Sequence, residues 1–531
     1  MDALVVLIPL MPLAAALAIG IGYLFGAING EADESITADI AGWTIAMSSL
    51  LALTLLGSDL LGKNTGSHNV GHWLSSDTLD IQINFITTGF NVRLAALFSV
   101  LLAIVIRFSI DYMHREAGYH RFFFILNLFA SAMLLLVLSG NAIGTFIGWE
   151  VAGLCSYFLI AYAYDRPVAA ANATRVFVTN RIGDAGFILG AGLSYAWLDS
   201  VNWSNINAAA AQMTPGEATA IALCFAVAAF AKSAQLPFTP WLARAMEGPT
   251  PSSAVFYGAV MVHAGVYLVI LLRPVFECAP LAMSVVAIVG LMTAVYGFVV
   301  GLTQTDVKSS LIFATSGQLG LMFLECGLGF WQLAGWHLCA HAAVRAYQFL
   351  TAPSLMHNMQ GNYIDTSRRK APAHTHRLRR VGDVPTWVYV ASLQRFWLDQ
   401  ITDWALVKPV CGLAHDLSYF DDHIVDRIMG APDPAIRAIS SLAQLEEQMI
   451  GAHLDNESDE FAQGSGLAGK LTEWMAAVLH WFEDRFVLRG IGKGAIDYGR
   501  ELGHIANRFE QSVFRPRYLV LFVFITLLVA F

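Results

Sequence analysis

Charge is scarce in this sequence of 531 residues: only 13% are Asp, Glu, Lys or Arg, whereas 56% are hydrophobic. A soluble domain carries about 25% charged residues. The shortage excludes an ordinary soluble protein and predicts an all-α polytopic membrane protein. The net charge is −9, the acidic residues are concentrated towards the C-terminus, and no basic groove pattern is present. We therefore expect the lipid bilayer as a partner and no nucleic acid.

The sequence also lacks the common signatures of metal and cofactor sites. No CxxC spacing occurs among its six cysteines, so a disulfide framework or an iron–sulfur or zinc cluster is not expected. A Gly-rich nucleotide loop and a nucleophile elbow are missing as well. We predict neither a metal nor a cofactor in this chain, and the sequence shows no catalytic chemistry of its own.

Long apolar runs are what the sequence has instead. About twelve runs approach the 20 residues that a membrane-spanning helix needs, and they lie at about 3–27, 36–57, 93–113, 121–139, 141–163, 171–197, 217–241, 252–274, 281–304, 307–326, 330–357 and 515–531. Alternating polarity within residues 58–92 predicts a short β-hairpin on one membrane face. Basic residues in alternate loops place the N-terminus outside, and Met1 begins an uncleaved first span, here assigned to a bacterial inner membrane.

Lys232 lies inside one of these apolar runs, ATAIALCFAVAAFAKSAQLPF, and Pro237 follows five residues later. An ammonium in hydrocarbon costs roughly 2.5–3.5 kcal/mol on insertion scales. The proline removes a backbone donor and predicts a broken seventh helix whose carbonyls face a wet cavity. Charge and break together indicate an ion-handling site; a purely structural lysine is the alternative.

Further ionisable residues fall in consecutive predicted helices: Glu150, Arg181, Asp184, His263, Asp306, Lys308, His337, His341 and Arg345. Intramembrane charges of this kind mark ion pathways. Arg181 and Asp184 are three residues apart, so that they share a helix face and could equally be a structural ion pair. Asp306 and Lys308 could be interfacial charges at a helix start. The stripe of His337, His341 and Arg345 could hold a metal, although no third ligand lies on it.

Residues 359–514 are polar or amphipathic, and their longest apolar run, Val384 to Leu393, is too short to span a membrane comfortably. FWLDQITDWALVKP places Phe396, Ile401, Trp404 and Leu406 at helical spacing. We predict cytosolic amphipathic helices that dock a partner, with an ordinary helical domain that packs on itself as the alternative.

Five segments in order, WEVAGLCSYFLI, NRIGDAGF, AKSAQLPFTPWLARAMEGPTPSSA, TQTDVKSSLIFATSGQLGLMF and HLCAHAAVRAYQFL, resemble the antiporter-like subunits of respiratory complex I and the Mrp antiporters, nearest to the NuoL type. The resemblance covers about residues 80–357. It implies domains at 1–120 (N-terminal helices and external hairpin), 121–358 (ion-translocating core), 359–514 (docking region) and 515–531 (last span).

The resemblance also implies residue roles. Lys232 corresponds to the pumping lysine and Glu150 to its glutamate partner, while His337 and His341 correspond to the central relay, with Lys308 and His263 as further proton carriers. Arg181, Asp184, Asp306, Arg345 and Pro237 would be structural or electrostatic. Arg345 stands where relatives carry a lysine, and arginine does not deprotonate, so a fixed counter-charge is expected there. Tyr257 replaces an eighth-helix histidine, and His263 lies six residues on.

After the eleventh span the sequence departs from the family pattern, which continues with a second broken helix. Shortened NuoL-like subunits (DabB type) resemble this arrangement and support a cytosolic carbonic-anhydrase-like subunit (DabA type) in accumulating inorganic carbon. This assembly is the main expectation; any zinc would belong to the partner. A proton-pumping subunit of a NADH-quinone oxidoreductase or related complex is the alternative, with other complex I subunits as partners, and a non-conducting scaffold is the third reading.

Overall fold

The computed structural model describes residues 2–75, 80–304, 306–352 and 386–420. Within these ranges nine helices are long and apolar enough to cross a membrane. They are Asp2–Leu24, Glu31–Leu60, Gly89–Tyr112, Tyr119–Leu138, Ala142–Ile160, Pro215–Lys232, Thr250–Leu271, Pro280–Gly301 and Val307–Gly327. The all-α polytopic fold predicted from the sequence is confirmed. The predicted last span, 515–531, lies outside the described residues.

The α-helices are numbered here in chain order. They are α1 (Leu7–Leu24), α2 (Glu34–Leu60), α3 (Gly89–Tyr112), α4 (Tyr119–Leu138), α5 (Ala142–Ile160), α6 (Pro167–Leu198), α7 (Trp203–Ala209), α8 (Pro215–Lys232), α9 (Pro240–Arg244), α10 (Thr250–Ser253), α11 (Ala264–Leu271), α12 (Arg273–Glu277), α13 (Pro280–Gly301), α14 (Val307–Gly327), α15 (Trp331–Thr351), α16 (Thr386–Leu393), α17 (Leu398–Thr402) and α18 (Lys408–Phe420). Helices α6 and α15 match the predicted sixth and eleventh spans in position and carry more polar side chains.

The predicted hairpin forms between α2 and α3. Strand β1 (Ser67–Ser75) pairs antiparallel with β2 (Asp80–Ile86). The Asn84 carbonyl accepts a hydrogen bond from Gly140 N at 2.9 Å, and Asn141 Nδ2 donates to the Gln82 carbonyl at 2.6 Å. The hairpin is therefore fastened to the turn between α4 and α5.

The seventh span is broken after Lys232, as predicted from Lys232 and Pro237. A capping box of Thr214 and Glu217 starts α8, and Lys232 is its last residue. Ala234 adopts a left-handed conformation with φ of 49°. The chain resumes a helix only at Pro240, and Trp241 Nε1 donates back to the Ala231 carbonyl at 2.8 Å. The Trp241 indole therefore links the chain after the break to the end of α8.

The eighth span is also irregular, which the sequence did not indicate. Helix α10 passes into a π-helical turn (Ala254–Ala259) and a 3₁₀ turn (Met261–His263) before α11 begins. A Cβ at Gly258 would lie 2.7 Å from the backbone nitrogen of Ala346 on α15. The glycine thus allows close backbone contact here, and π-turns inside α-helices are frequent at functional sites.

Helices α13 and α14 also pack backbone to backbone. Cβ atoms built at Gly290 and Gly297 on α13 would lie 2.5 Å from the backbone nitrogens of Leu324 and Gly317 on α14. A Cβ at Gly320 would likewise meet Ala294 N at 2.5 Å. Small residues at such positions are the usual means of close helix packing in membranes.

The described chain divides into two compact units, residues 1–407 and the part that begins at residue 408. Helices α16 and α17 belong to the first unit, and α18 is the described part of the second. The predicted boundaries at 120, 358 and 514 stay predictions, since most of 359–514 lies outside the described residues.

Candidate functional site: a buried lysine and a histidine line

Lys232 is buried, with 1% of its surface exposed. Its Nζ donates a hydrogen bond to the Trp149 carbonyl oxygen at 3.0 Å and lies 5.1 Å from the centre of the Trp149 ring. A carbonyl dipole and an aromatic face both stabilise a cation. The break that follows α8 therefore holds an ammonium in a pocket lined by polar backbone and by the face of an indole.

Three more charged residues surround this position and form, with Lys232, what we call the Lys232 cluster: Glu150, Arg181 and Asp184. Arg181 Nη1 is bonded to Glu150 Oε2, and its Nη2 lies 2.9 Å from Asp184 Oδ2. Trp149 Nε1 donates to Asp184 Oδ1 at 2.7 Å. The cluster joins α5, α6 and α8, and its two cations match its two carboxylates when all four are charged.

The resemblance implied that Glu150 would pair with Lys232, but in the structure Glu150 pairs with Arg181. The reason is the shared surface of α5 and α6, which brings the longer guanidinium across to the carboxylate. The lysine remains adjacent: a Cβ at Gly153 would lie 3.1 Å from Arg181 Nη2 and 3.3 Å from Lys232 Nζ. The Arg181 guanidinium thus contacts Glu150 and lies close to the Lys232 ammonium.

A second group of polar side chains, the histidine line, consists of His263, His341, Arg345 and His337. His263 Nε2 and His341 Nδ1 are 2.9 Å apart, and Arg345 Nε donates to His341 Nε2 at 3.2 Å. The ring centres of His337 and His341 are 6.3 Å apart. The predicted stripe on α15 therefore exists, and the irregular eighth span brings His263 to it.

Sequence reasoning missed the partners of His337. Its Nδ1 lies 2.9 Å from Glu325 Oε1 and its Nε2 lies 2.8 Å from Gln318 Oε1, both on α14. Glu325 could have been found as a carboxylate inside the apolar run LMFLECGL. No group of three or more His, Cys, Asp or Glu residues around a common point occurs in the described part of the chain.

The two groups approach each other at the break. Ser233, the residue after Lys232, donates from its Oγ to the carbonyl of Val262, the residue before His263, at 2.6 Å. A Cβ at Gly265 would lie 2.3 Å from the same Ser233 Oγ, so that α11 and the end of α8 are in close contact. The break after α8 thus connects the Lys232 cluster to the histidine line.

The charges that open the tenth span have separate partners. Asp306 caps α14, since its Oδ2 accepts from Ser309 N at 2.8 Å. Lys308 Nζ donates to Thr250 Oγ1 at 2.8 Å and so joins α14 to α10. The contacts of Asp306 therefore fit the alternative interpretation, in which this residue is a charge at the start of a helix.

Residues 386–407 pack against the core beside the break. Arg244 Nη2 lies 3.2 Å from Asp399 Oδ2, and Arg175 Nη2 lies 3.2 Å from Asp403 Oδ2. Thr402 Oγ1 donates to the carbonyl of Pro237 at 3.4 Å. This anchored segment, which we call the 386–407 strap, contacts the broken helix at Pro237.

Two of the four apolar residues predicted to form a docking stripe pack against the chain's own core. Phe396 packs on Tyr296, with ring centres 6.1 Å apart, and Leu406 packs against the main core. Ile401 and Trp404 stay exposed, at 51% and 76%. The stripe is split because the chain's own transmembrane core takes up half of it.

Family models match two parts of the chain. Residues 139–379 match "NADH:quinone oxidoreductase/Mrp antiporter, TM", and residues 73–123 match "NADH-Ubiquinone oxidoreductase (complex I), chain 5 N-terminus". These matches contain every member of the Lys232 cluster and of the histidine line.

Curated relatives agree. The chain is 36% identical over 373 residues to NAD(P)H-quinone oxidoreductase chain 5 of Picosynechococcus sp., covering 67% of this chain and 54% of the relative. It is 36% identical over 360 residues to the chloroplastic subunit 5 of Nephroselmis olivacea, covering 67% and 55%. The chain thus spans about half the length of these relatives.

Solved structures are similar over about two thirds of the chain. The Mrp complex from Dietzia sp. matches with a TM-score of 0.57 and 27% identity, over 64% of this chain and 37% of that one. The archaeal membrane-bound sulfane sulfur reductase shares the fold, with a TM-score of 0.55 and 20% identity, over 65% and 70%. With its matched segments, its fold and its multi-pass helices, the chain belongs to the family of antiporter-like membrane subunits found in complex I and Mrp-type complexes.

Proposed function

We propose that this chain is the proton-translocating, energy-coupling subunit of a multi-subunit membrane complex of the NADH-quinone oxidoreductase type. The observation that carries the proposal is the burial of Lys232 at a helix break, next to Glu150, Arg181 and Asp184. A buried ammonium beside carboxylates can gain or lose its proton as its partners move. The names of the relatives support this assembly over the inorganic-carbon assembly expected from the sequence.

Protons are the proposed ion because the polar residues on the path are lysine and histidine. Neutral histidines relay protons, whereas Na⁺ is bound by several oxygen ligands, and the histidine line offers ring nitrogens. His337, Glu325 and Gln318 extend this path towards α14. Lys308, bound to Thr250, is the proposed link to the other end of α14.

Transport by the intact complex tests the proposal. The complex is purified through a tag on this chain, reconstituted in liposomes and energised, and internal acidification is followed with a pH-sensitive dye. We expect acidification that Lys232→Ala abolishes and that replacement of Na⁺ by K⁺ does not change. Acidification at the wild-type rate in the Lys232→Ala complex would contradict the proposal, and Na⁺-dependent pumping would replace the proton with sodium.

Inorganic-carbon uptake is the second candidate. It is supported by the polar, amphipathic character of residues 359–514, where the sequence predicts a docking region for a carbonic-anhydrase-like, zinc-binding partner. Mass spectrometry of the proteins that purify with the tagged chain separates the candidates. Quinone-oxidoreductase subunits support the first, a carbonic-anhydrase-like subunit supports the second, and a chain that assembles but conducts no ion would be a scaffold.

A further inference from the structure

His341 is held between two nitrogen atoms that approach its ring from different sides. Arg345 Nε donates to His341 Nε2 at 3.2 Å, and His263 Nε2 lies 2.9 Å from His341 Nδ1. All three residues are buried, with exposed fractions of 8% for Arg345, 7% for His341 and 0% for His263. Bulk water therefore has little access to these bonds, and their direction is set by the chemistry of the three side chains.

A guanidinium has N–H donors and no acceptor. His341 must therefore accept at Nε2, and when the ring is neutral its proton resides on Nδ1. That proton is donated to His263 Nε2, which leaves the proton of a neutral His263 on its Nδ1. We propose that Arg345 is a positioning residue that fixes both His341 and His263 in the Nδ1–H tautomer, so that the pair forms a hydrogen-bond chain with one direction.

The hydrogen-bond chain ends at His263, where a buried N–H donor remains. His263 Nδ1 is buried and has no hydrogen-bond partner among the described residues. In the proposed tautomer it presents an N–H to the interior beside the break after α8, where Ser233 holds the Val262 carbonyl. The ligand class that fits is a small neutral acceptor, and water is the smallest.

The tautomers of His341 and His263 limit how a proton can pass along the pair. This consequence rests on the proposed function. His263 can release its Nδ1 proton to an acceptor as it receives the His341 Nδ1 proton at Nε2. For His341 to stay neutral, its own Nε2 must be reloaded with a proton in the same step, and Arg345 blocks that atom. Because arginine does not give up its own proton, reloading requires the guanidinium to move away. Arg345 would thus act as a stop in the relay, and Gln348, bound to Arg345 Nη1 at 2.8 Å, would hold it there.

The test is solid-state ¹⁵N NMR of the intact complex, in which only this chain carries ring-labelled histidine. Signals of His341 and His263 are assigned from the resonances lost in His341→Asn and His263→Asn. We expect both wild-type rings to be neutral with the proton on Nδ1. In Arg345→Met, which removes the donor and keeps an unbranched chain, His341 should shift to the Nε2–H form or to a mixture.

Arg345→Lys should keep the wild-type tautomer, because an ammonium also only donates. Arg273→Met, at an exposed side chain of α12, is the control and should leave both signals unchanged. A wild-type His341 with its proton on Nε2, or an unchanged tautomer in a folded Arg345→Met complex, would overturn the proposal. Transport does not enter this measurement, so a complex with the expected tautomers and no proton pumping would refute the proposed function alone.

Discussion

The buried ammonium of Lys232 is hydrogen-bonded to the backbone carbonyl of Trp149, and the indole of the same tryptophan binds Asp184. One residue of α5 therefore contacts both the lysine on α8 and a carboxylate on α6. Among the described residues, no carboxylate forms a direct ion pair with Lys232, so the lysine meets its neighbouring charges through Trp149.

Lys232→Ala should abolish proton transport and leave the complex assembled. Removing the ammonium relieves a desolvation cost instead of creating one. Liposome acidification and the yield of assembled complex are the two measurements. Lys63→Ala, a change at an exposed lysine, is the matched control and should behave as wild type. Loss of assembly in Lys232→Ala would show that the lysine is structural.

Glu150→Ala should abolish transport and also lower stability by about 2 kcal/mol, since it leaves the half-buried Arg181 without its main partner. Thermal unfolding of the purified chain in detergent measures the change. Adding Arg181→Ala should restore part of the loss. Glu277→Ala breaks an exposed pair with Arg273 and should change stability by less than about 0.5 kcal/mol. Equal losses in both variants would rule out a special role for the buried pair.

Gly153→Ala should reduce transport while the protein still folds. The added methyl group would lie 3.1 Å from Arg181 Nη2 and 3.3 Å from Lys232 Nζ, so both flexible side chains must move. Gly153→Val should reduce transport further. Gly192→Ala on α6, where an added Cβ meets nothing within 4 Å, serves as the control. Wild-type acidification rates in Gly153→Val would mean that the spacing of the two cations is unimportant.

His337→Ala and His341→Ala should both impair transport, because each removes a member of the histidine line. Arg345→Lys should retain more transport than Arg345→Ala, since a positive charge and a donor remain. The acidification rates of the four reconstituted variants give the order. An assembled but inactive Arg345→Lys complex would point to a contact that only a guanidinium can make.

Asp399→Asn should loosen the 386–407 strap. The change weakens the bonds of Asp399 to Arg244 at 3.2 Å and to Arg395 at 3.4 Å. Amide hydrogen exchange over residues 395–402 should become faster, with exchange in α13 unchanged. Asp111→Asn, in the exposed pair with Arg107, is the control and should leave the strap's exchange rate as it is. Unaltered exchange in Asp399→Asn would show that apolar packing alone holds the strap.

In the part of the chain that the structure describes, hydropathy was sufficient for nine of the twelve predicted spans, and Pro237 after Lys232 was sufficient for the break, because both signals are local. The stripe on α15 followed from i, i+4 spacing. The sequence does not show which residues of neighbouring helices face each other, because packing determines how each helix is rotated about its own axis. The pairing of Glu150 with Arg181, the contact of Glu325 with His337 and the π-turn before His263 all depend on such contacts.

The strap was predicted only in part for the same reason. Its apolar spacing is visible in the sequence, and so are Asp399 and Asp403. Apart from Arg395, which is four positions from Asp399, their arginine partners lie more than 150 positions away along the chain, on α9 and α6. A pattern of apolar residues cannot distinguish a surface for another protein from a surface for the chain's own core.

The glycine-lined contact between α13 and α14 has a mechanical consequence. Layers of side chains between helices absorb small displacements by changing rotamers, whereas touching backbones cannot. These two helices should therefore shift as a single stiff body. Thr293 of α13 accepts a hydrogen bond from Leu236 N in the break, at 3.0 Å. Any rearrangement of the chain after Lys232 must then be taken up on its opposite side, where Ser233 holds the turn that carries His263.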